Sequence, residues 1–141
     1  MSAGDEPRVS AGDEPLDRRG GAPSGPAAAG VAGLADLHRH LDGSLRPATA
    51  FELAAALGVE APAELLFRPG MGLDEALTRF SFTLALLQRP AAIARVAAEI
   101  CEDARADGVT TLELRFAPHL HRGAPRADVV DAALEGAAGR A

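Results

Sequence analysis

Between Pro90 and Phe116 the spacing of apolar side chains switches from a helical period to a strand period, and this switch constrains the fold more than any other feature. From Ile93, the residues Val96, Ala97, Ile100, Cys101 and Ala104 form one helical stripe, which Gly108 terminates. Val109–Phe116 ("VTTLELRF") then alternates, with Leu112, Leu114 and Phe116 on one face and Thr111, Glu113 and Arg115 on the other, until Pro118 closes the strand. Upstream, the apolar run Val31–Leu37 ends at His38 and reads as a buried strand. Pro47 suits a helix start and Gly58 its end. Ala63–Phe67 suggests a short helical turn before Pro69-Gly70, and Leu73–Leu87 carries Leu73, Leu77, Phe80, Leu84 and Leu87 at steps of three and four. A last helix is expected near Ala127–Ala137 from Val129, Val130, Ala133 and Leu134. The order strand, several helices, strand, helix implies an α/β fold with parallel strands. Two parallel strands do not complete a sheet, and a (β/α)8 barrel typically takes about 250 residues, so the chain reads as the N-terminal portion of a larger domain.

Composition narrows the function classes. The 141 residues carry 14 basic groups, all of them Arg, against 20 acidic groups, for a net charge of -6. That balance argues against a nucleic-acid surface or an anionic membrane surface as partner. A single cysteine excludes an intramolecular disulfide, and no apolar run is long enough for a signal peptide or a membrane span, which points to the cytoplasm. With one cysteine and no His-x-Glu, the zinc site of cytidine deaminases is excluded. Cys101 falls at a core position of its helix and reads as a small buried hydrophobe. Residues 1–33 repeat Ser-Ala-Gly-Asp-Glu-Pro at Ser2–Pro7 and Ser10–Pro15 and continue as a Gly/Pro/Ala run, a composition expected of a disordered leader. The foldable domain is then 34–141.

Candidate chemistry lies in "LADLHRHLDGS", Leu34–Ser44. On an extended strand, residues two apart share a face, so His38, His40 and Asp42 could converge on one point. The C-terminal ends of parallel strands are where barrel enzymes gather reacting groups, and neutral imidazoles suit Zn2+. Polar residues that merely finish a strand fit the spacing equally well. The second pair, His119 and His121, follows Pro118 and reads as solvent-exposed loop histidines. Glu113 and Arg115 share a strand face; in a barrel interior they would be buried and paired, while Leu112, Leu114 and Phe116 meet the outer helices.

Taken together, "LHRHLDGSLRP" (Leu37–Pro47), "LDEALTRFSFTLALL" (Leu73–Leu87) and "TTLELRFAPHLH" (Thr110–His121) resemble, in order and spacing, the N-terminal part of the adenosine deaminase family. The resemblance implies a (β/α)8 TIM barrel of the metal-dependent hydrolase group that uses one zinc ion to replace the 6-amino group of a purine nucleoside by oxygen. It implies that His38 and His40 are zinc ligands. His40, Asp42, Leu73, Leu77 and Phe80 would be substrate-binding, with Asp42 at the ribose 5′-hydroxyl and the three apolar residues in a helical lid. Glu113 and Arg115 would be a supporting charged pair. Ala76 stands where the lid carries an aromatic, and Ala117 where a serine is common. The remaining ligands and the proton-donating glutamate of the family come from later strands, so no catalytic acid or base is expected within this chain, and the chain alone is expected to be inactive. The other expectations are a non-catalytic remnant or interaction module, and another purine deaminase or metal hydrolase of the same barrel group.

Overall fold

A computed structural model of the chain describes residues 33–139. The leader expected over residues 1–33 lies, but for Gly33, outside the described residues. Strand β1 (Leu34–His40) is followed by helices α1 (Pro47–Leu57), α2 (Leu73–Leu86) and α3 (Pro90–Ala106), then strand β2 (Val109–Arg115), a 3-10 turn at Pro118–Leu120, and helix α4 (Arg126–Ala138). β1 and β2 pair in parallel, from Leu34 opposite Val109 to His40 opposite Arg115. The fold is thus α/β, with two parallel strands and four helices among the described residues.

Three features differ from the sequence reading. The first is that β1 is exposed or half-buried along its length rather than a buried strand, because among the described residues it has one strand neighbour and Leu34 and Leu37 stay open to solvent. β1 starts at Leu34 and runs through His40, so both histidines lie within the strand rather than at and beyond its end. The ladder carries on one residue further, the Leu41 amide donating to the Arg115 carbonyl at 3.0 Å. No helical turn forms over Ala63–Phe67; the segment between α1 and α2 is irregular.

Helix α3 is the centre of the core. Its stripe of Ile93, Val96, Ala97 and Ile100 is almost wholly removed from solvent, facing Leu112, Leu114 and Phe116 of the sheet side and Val129, Ala132 and Ala133 of α4. Gly108 takes a φ of +78°, a left-handed conformation that costs glycine least, and so turns α3 directly into β2. On α4 the buried stripe is Val129, Ala132, Ala133 and Gly136, leaving Val130 and Leu134 exposed; the expected stripe was rotated toward those two. Gly136 explains the rotation. A Cβ there would run into the Ala94 carbonyl of α3, so the glycine faces α3 and lets the two backbones approach.

Helices α1 and α2 form a second, smaller cluster of Ala50, Ala54 and Leu86 with Leu53, Leu65 and Phe82 around it. Charged side chains tie it to α3: Arg46 donates to Asp103 at 2.7 Å and to Glu102 at 3.0 Å, Arg95 to Glu52 at 2.7 Å, and Thr49 to the buried Glu99 at 2.7 Å. Among the described residues no helix is long and apolar enough to cross a membrane.

Candidate metal centre

The candidate centre is built on the exit of β1. Between Asp36 and Arg39 the register shifts, three steps of β1 facing two of β2. Such an extra residue re-aims side chains and is common beside functional sites. Asp36 shapes the irregularity: one carboxylate oxygen accepts from the His38 amide at 3.2 Å and the other from Arg39 Nε at 2.8 Å. These bonds hold the Asp36 carboxyl below the usual carboxylate range, the Arg39 bond first and the His38 amide second.

His38 and His40 then project from one face, with ring centroids 5.1 Å apart and their Nε2 atoms 3.1 Å apart. Two nitrogens each about 2.0–2.1 Å from one cation at the tetrahedral angle stand about 3.4 Å apart, so the pair is close to the spacing of two ligands on a shared divalent ion. Both rings are exposed. Among the described residues no group of three or more His, Cys, Asp and Glu side chains is placed to hold a metal ion.

Asp42 does not join the two imidazoles on that face. The strand ends at His40 and the chain turns through Leu41–Gly43, so the two-residue alternation stops before reaching Asp42. Its residue is only 2% exposed, and its Oδ1 has no hydrogen-bond partner and lies 4.0 Å from His40 Nδ1. Burial pushes the Asp42 carboxyl above the usual range, against the opposing pull of its own backbone amide and of the nearby His121 and His40.

His121 departs furthest from its expected place. It was read as a solvent-exposed loop histidine, but it is 1% exposed, packed edge-on against Phe116 with Nδ1 2.7 Å from the Leu87 carbonyl. The 3-10 turn at Pro118–Leu120 rolls the chain inward, which the proline alone did not announce. His119 is exposed, as expected.

Glu113 and Arg115 form the expected ion pair at 2.7 Å, but on an open face, each side chain about half exposed (50% and 46%). Their expected burial is therefore corrected: among the described residues nothing covers that side of the sheet, while Leu112, Leu114 and Phe116 take the helical side as expected. On α2, Leu73 and Leu77 are open to solvent and Phe80 is half-buried. Cys101 is half-buried and its thiol is pushed up by burial, in keeping with a packing role.

The sequence profile described as "Adenosine deaminase" matches residues 33–140. The chain belongs to the adenosine deaminase family. It is 44% identical over 115 residues to a probable adenosine deaminase of Dictyostelium discoideum, and 44% identical over 112 residues to an adenosine deaminase of Mycobacteroides abscessus. Those alignments cover 74% and 71% of the chain but 15% and 31% of the relatives, so the chain spans a third or less of their length. Among solved structures it is similar to an Arabidopsis N6-mAMP deaminase, with a TM-score of 0.62 at 25% identity, covering 78% of this chain and 35% of that one. An adenine deaminase of Arthrobacter aurescens gives a TM-score of 0.58 at 27% identity, covering 76% of this chain and 34% of that one.

Proposed function

We propose that this adenosine deaminase family chain contributes the first-strand portion of a zinc site for hydrolytic deamination of adenosine or a related purine. The observation that carries the reading is the 3.1 Å approach of the His38 and His40 Nε2 atoms on one face of β1. Both imidazoles, as neutral rings, would hold the ion through Nε2. When bound, zinc would supply Lewis acidity, which makes water easier to deprotonate near neutral pH. Asp42, on the turn after β1, would accept a hydroxyl hydrogen bond from the sugar. Leu73, Leu77 and Phe80 cover the purine and exclude water, and the Glu113–Arg115 pair stiffens the neighbouring strand.

A carboxylate at Asp42 accepts hydrogen bonds but repels anions, which favours a hydroxyl-bearing nucleoside over a phosphorylated one. The partner in this reading is a small-molecule purine nucleoside, with neither nucleic acid nor membrane, in the cytoplasm. The domain in this reading begins at residue 34, after the leader.

Two imidazoles hold zinc loosely, since catalytic sites usually use three protein ligands. The chain by itself is therefore expected to convert no adenosine to inosine; measurable conversion by the purified 141-residue chain overturns that part of the proposal. Placed in exchange for the matching stretch of the Mycobacteroides abscessus enzyme, the chain is expected to support purine deamination, and His38→Ala in that chimera to abolish it. A folded chimera that retains activity with His38→Ala removes the metal-ligand role.

A further inference from the structure

The N-terminal half of α2 is held by charge rather than by apolar packing. Over residues 73–81 the buried side chain is Arg79, and the apolar anchors Phe82 and Leu86 come only after it. Helical periodicity puts Arg79, Phe82, Thr83 and Leu86 on one side of α2 and Leu73, Leu77 and Phe80 on another, with Leu73 and Leu77 open to solvent. A cavity of about 370 Å3 lies between residues 60–63 and Thr78, Arg79 and Phe82, so the helix and the segment before it are not closely packed there.

Arg79 reaches from the helix to that segment. Its Nη1 donates to the Leu66 carbonyl, and its Nη2 donates to Glu64 at 3.2 Å and to Glu75 at 2.7 Å. Arg68 donates to the same Glu75 oxygen at 3.0 Å, which links the segment back to the helix a second time. The segment end of these bonds is fixed, because Ala61 and Leu65 pack on the cluster of Ala50, Ala54 and Leu86. A planar guanidinium with several donors in fixed directions sets both the distance and the orientation of the groups it joins. Glu64 and Glu75 are about half exposed (54% and 41%), so removing Arg79 leaves neither as a buried charge.

We propose that Arg79 is a positioning residue, seating the N-terminal half of α2 on the segment before it and so setting where Leu73, Leu77 and Phe80 stand over the purine. The effect on substrate rests on the deamination reading above; the seat itself does not. An apolar cover touches bound substrate and transition state alike, so a displaced cover raises KM and leaves kcat nearly unchanged. Loss of stability alone has the opposite signature, since it lowers the folded fraction, and with it the apparent kcat, at unchanged KM.

The test uses the full 141-residue chain and its chimera with the Mycobacteroides abscessus enzyme, each carrying Arg79→Met or Arg79→Lys, with folding checked by circular dichroism. In the chain, hydrogen exchange is expected to quicken about tenfold at the amides of residues 76–80 in Arg79→Met and to stay unchanged at residues 93–100 of α3. In the chimera, Arg79→Met is expected to raise KM for adenosine about fivefold to tenfold, with kcat within about twofold. Arg79→Lys keeps the charge but not the fork, and should fall between the two.

Unchanged exchange at residues 76–80, or a rise shared equally by α3, overturns the seat. Faster exchange there with an unchanged KM overturns the positioning role. If the chimera is inactive without any substitution, the deamination reading fails and the role over the substrate falls with it, while exchange still decides the seat. If Arg79→Met does not fold, Glu64→Ala combined with Glu75→Ala takes its place, both side chains being half exposed. Exchange and KM must then rise together, and either one unmoved overturns the proposal.

Discussion

Asp36 and Arg46 show how single polar side chains set the geometry near the candidate centre. Asp36 fixes the irregular stretch of β1 that aims His38, using one oxygen for the backbone and one for Arg39. Arg46 spans from the loop before α1 to α3, donating to Asp103, Glu102 and the Glu99 carbonyl, and so holds the first helix against the core. Charge-assisted bonds of this kind are stronger than neutral ones, and Arg46→Ala is expected to lower the urea midpoint of unfolding. A second residue-scale expectation concerns Glu75. Its carboxyl is held below the ordinary glutamate range, first by the Arg68 hydrogen bond and then by the charges of Arg68 and Arg79. A carboxyl with a lowered folded value contributes stability above its unfolded value and loses it as pH falls through the folded one. Arg79 also donates to Glu64 and to the Leu66 carbonyl, anchoring the segment before α2. Protease nicking between residues 59 and 72 should therefore rise as pH drops below the ordinary glutamate range, and should depend less on pH there in Glu75→Gln.

At the scale of elements, the packing of α3 on α4 depends on Gly136. Gly136→Ala pushes a methyl into the Ala94 carbonyl and is expected to cost about 1–3 kcal/mol, read as a drop in urea midpoint with the slope unchanged. The sequence carried most of the elements because their signals are local. Pro47 and Gly58 bracket α1, Pro90 and Gly108 bracket α3, and the alternation of VTTLELRF marks β2. What it could not carry was set by contacts distant in sequence. The rotation of the α4 stripe needs the backbone of α3, and the inward turn of His121 needs the Leu87 carbonyl 34 residues away. The site divides the same way. His38 and His40 are two apart on one strand, so their shared face was legible from spacing. Asp42 was not, because the strand ends between it and His40, and alternation says nothing about a turn. Glu113 and Arg115 were legible as a pair but not in exposure, which depends on what covers the open face of the sheet.

At the scale of the whole molecule, β1 and β2 each have one strand partner among the described residues, and Leu34, Leu37, Leu73, Leu77 and Leu134 are exposed. Unpaired strand edges beside exposed apolar side chains favour association, so the isolated chain is expected to self-associate at micromolar concentration in sedimentation velocity. A strictly monomeric chain at high concentration would show that these surfaces are tolerated alone. The central claim is the shared grip of two imidazoles at the end of β1, and cobalt(II) titration followed by visible absorption tests it most directly. One nitrogen-ligated cobalt per chain, lost in both His38→Ala and His40→Ala, is the expected result. Cobalt uptake that is absent from the unsubstituted chain, or undiminished in either variant, contradicts it.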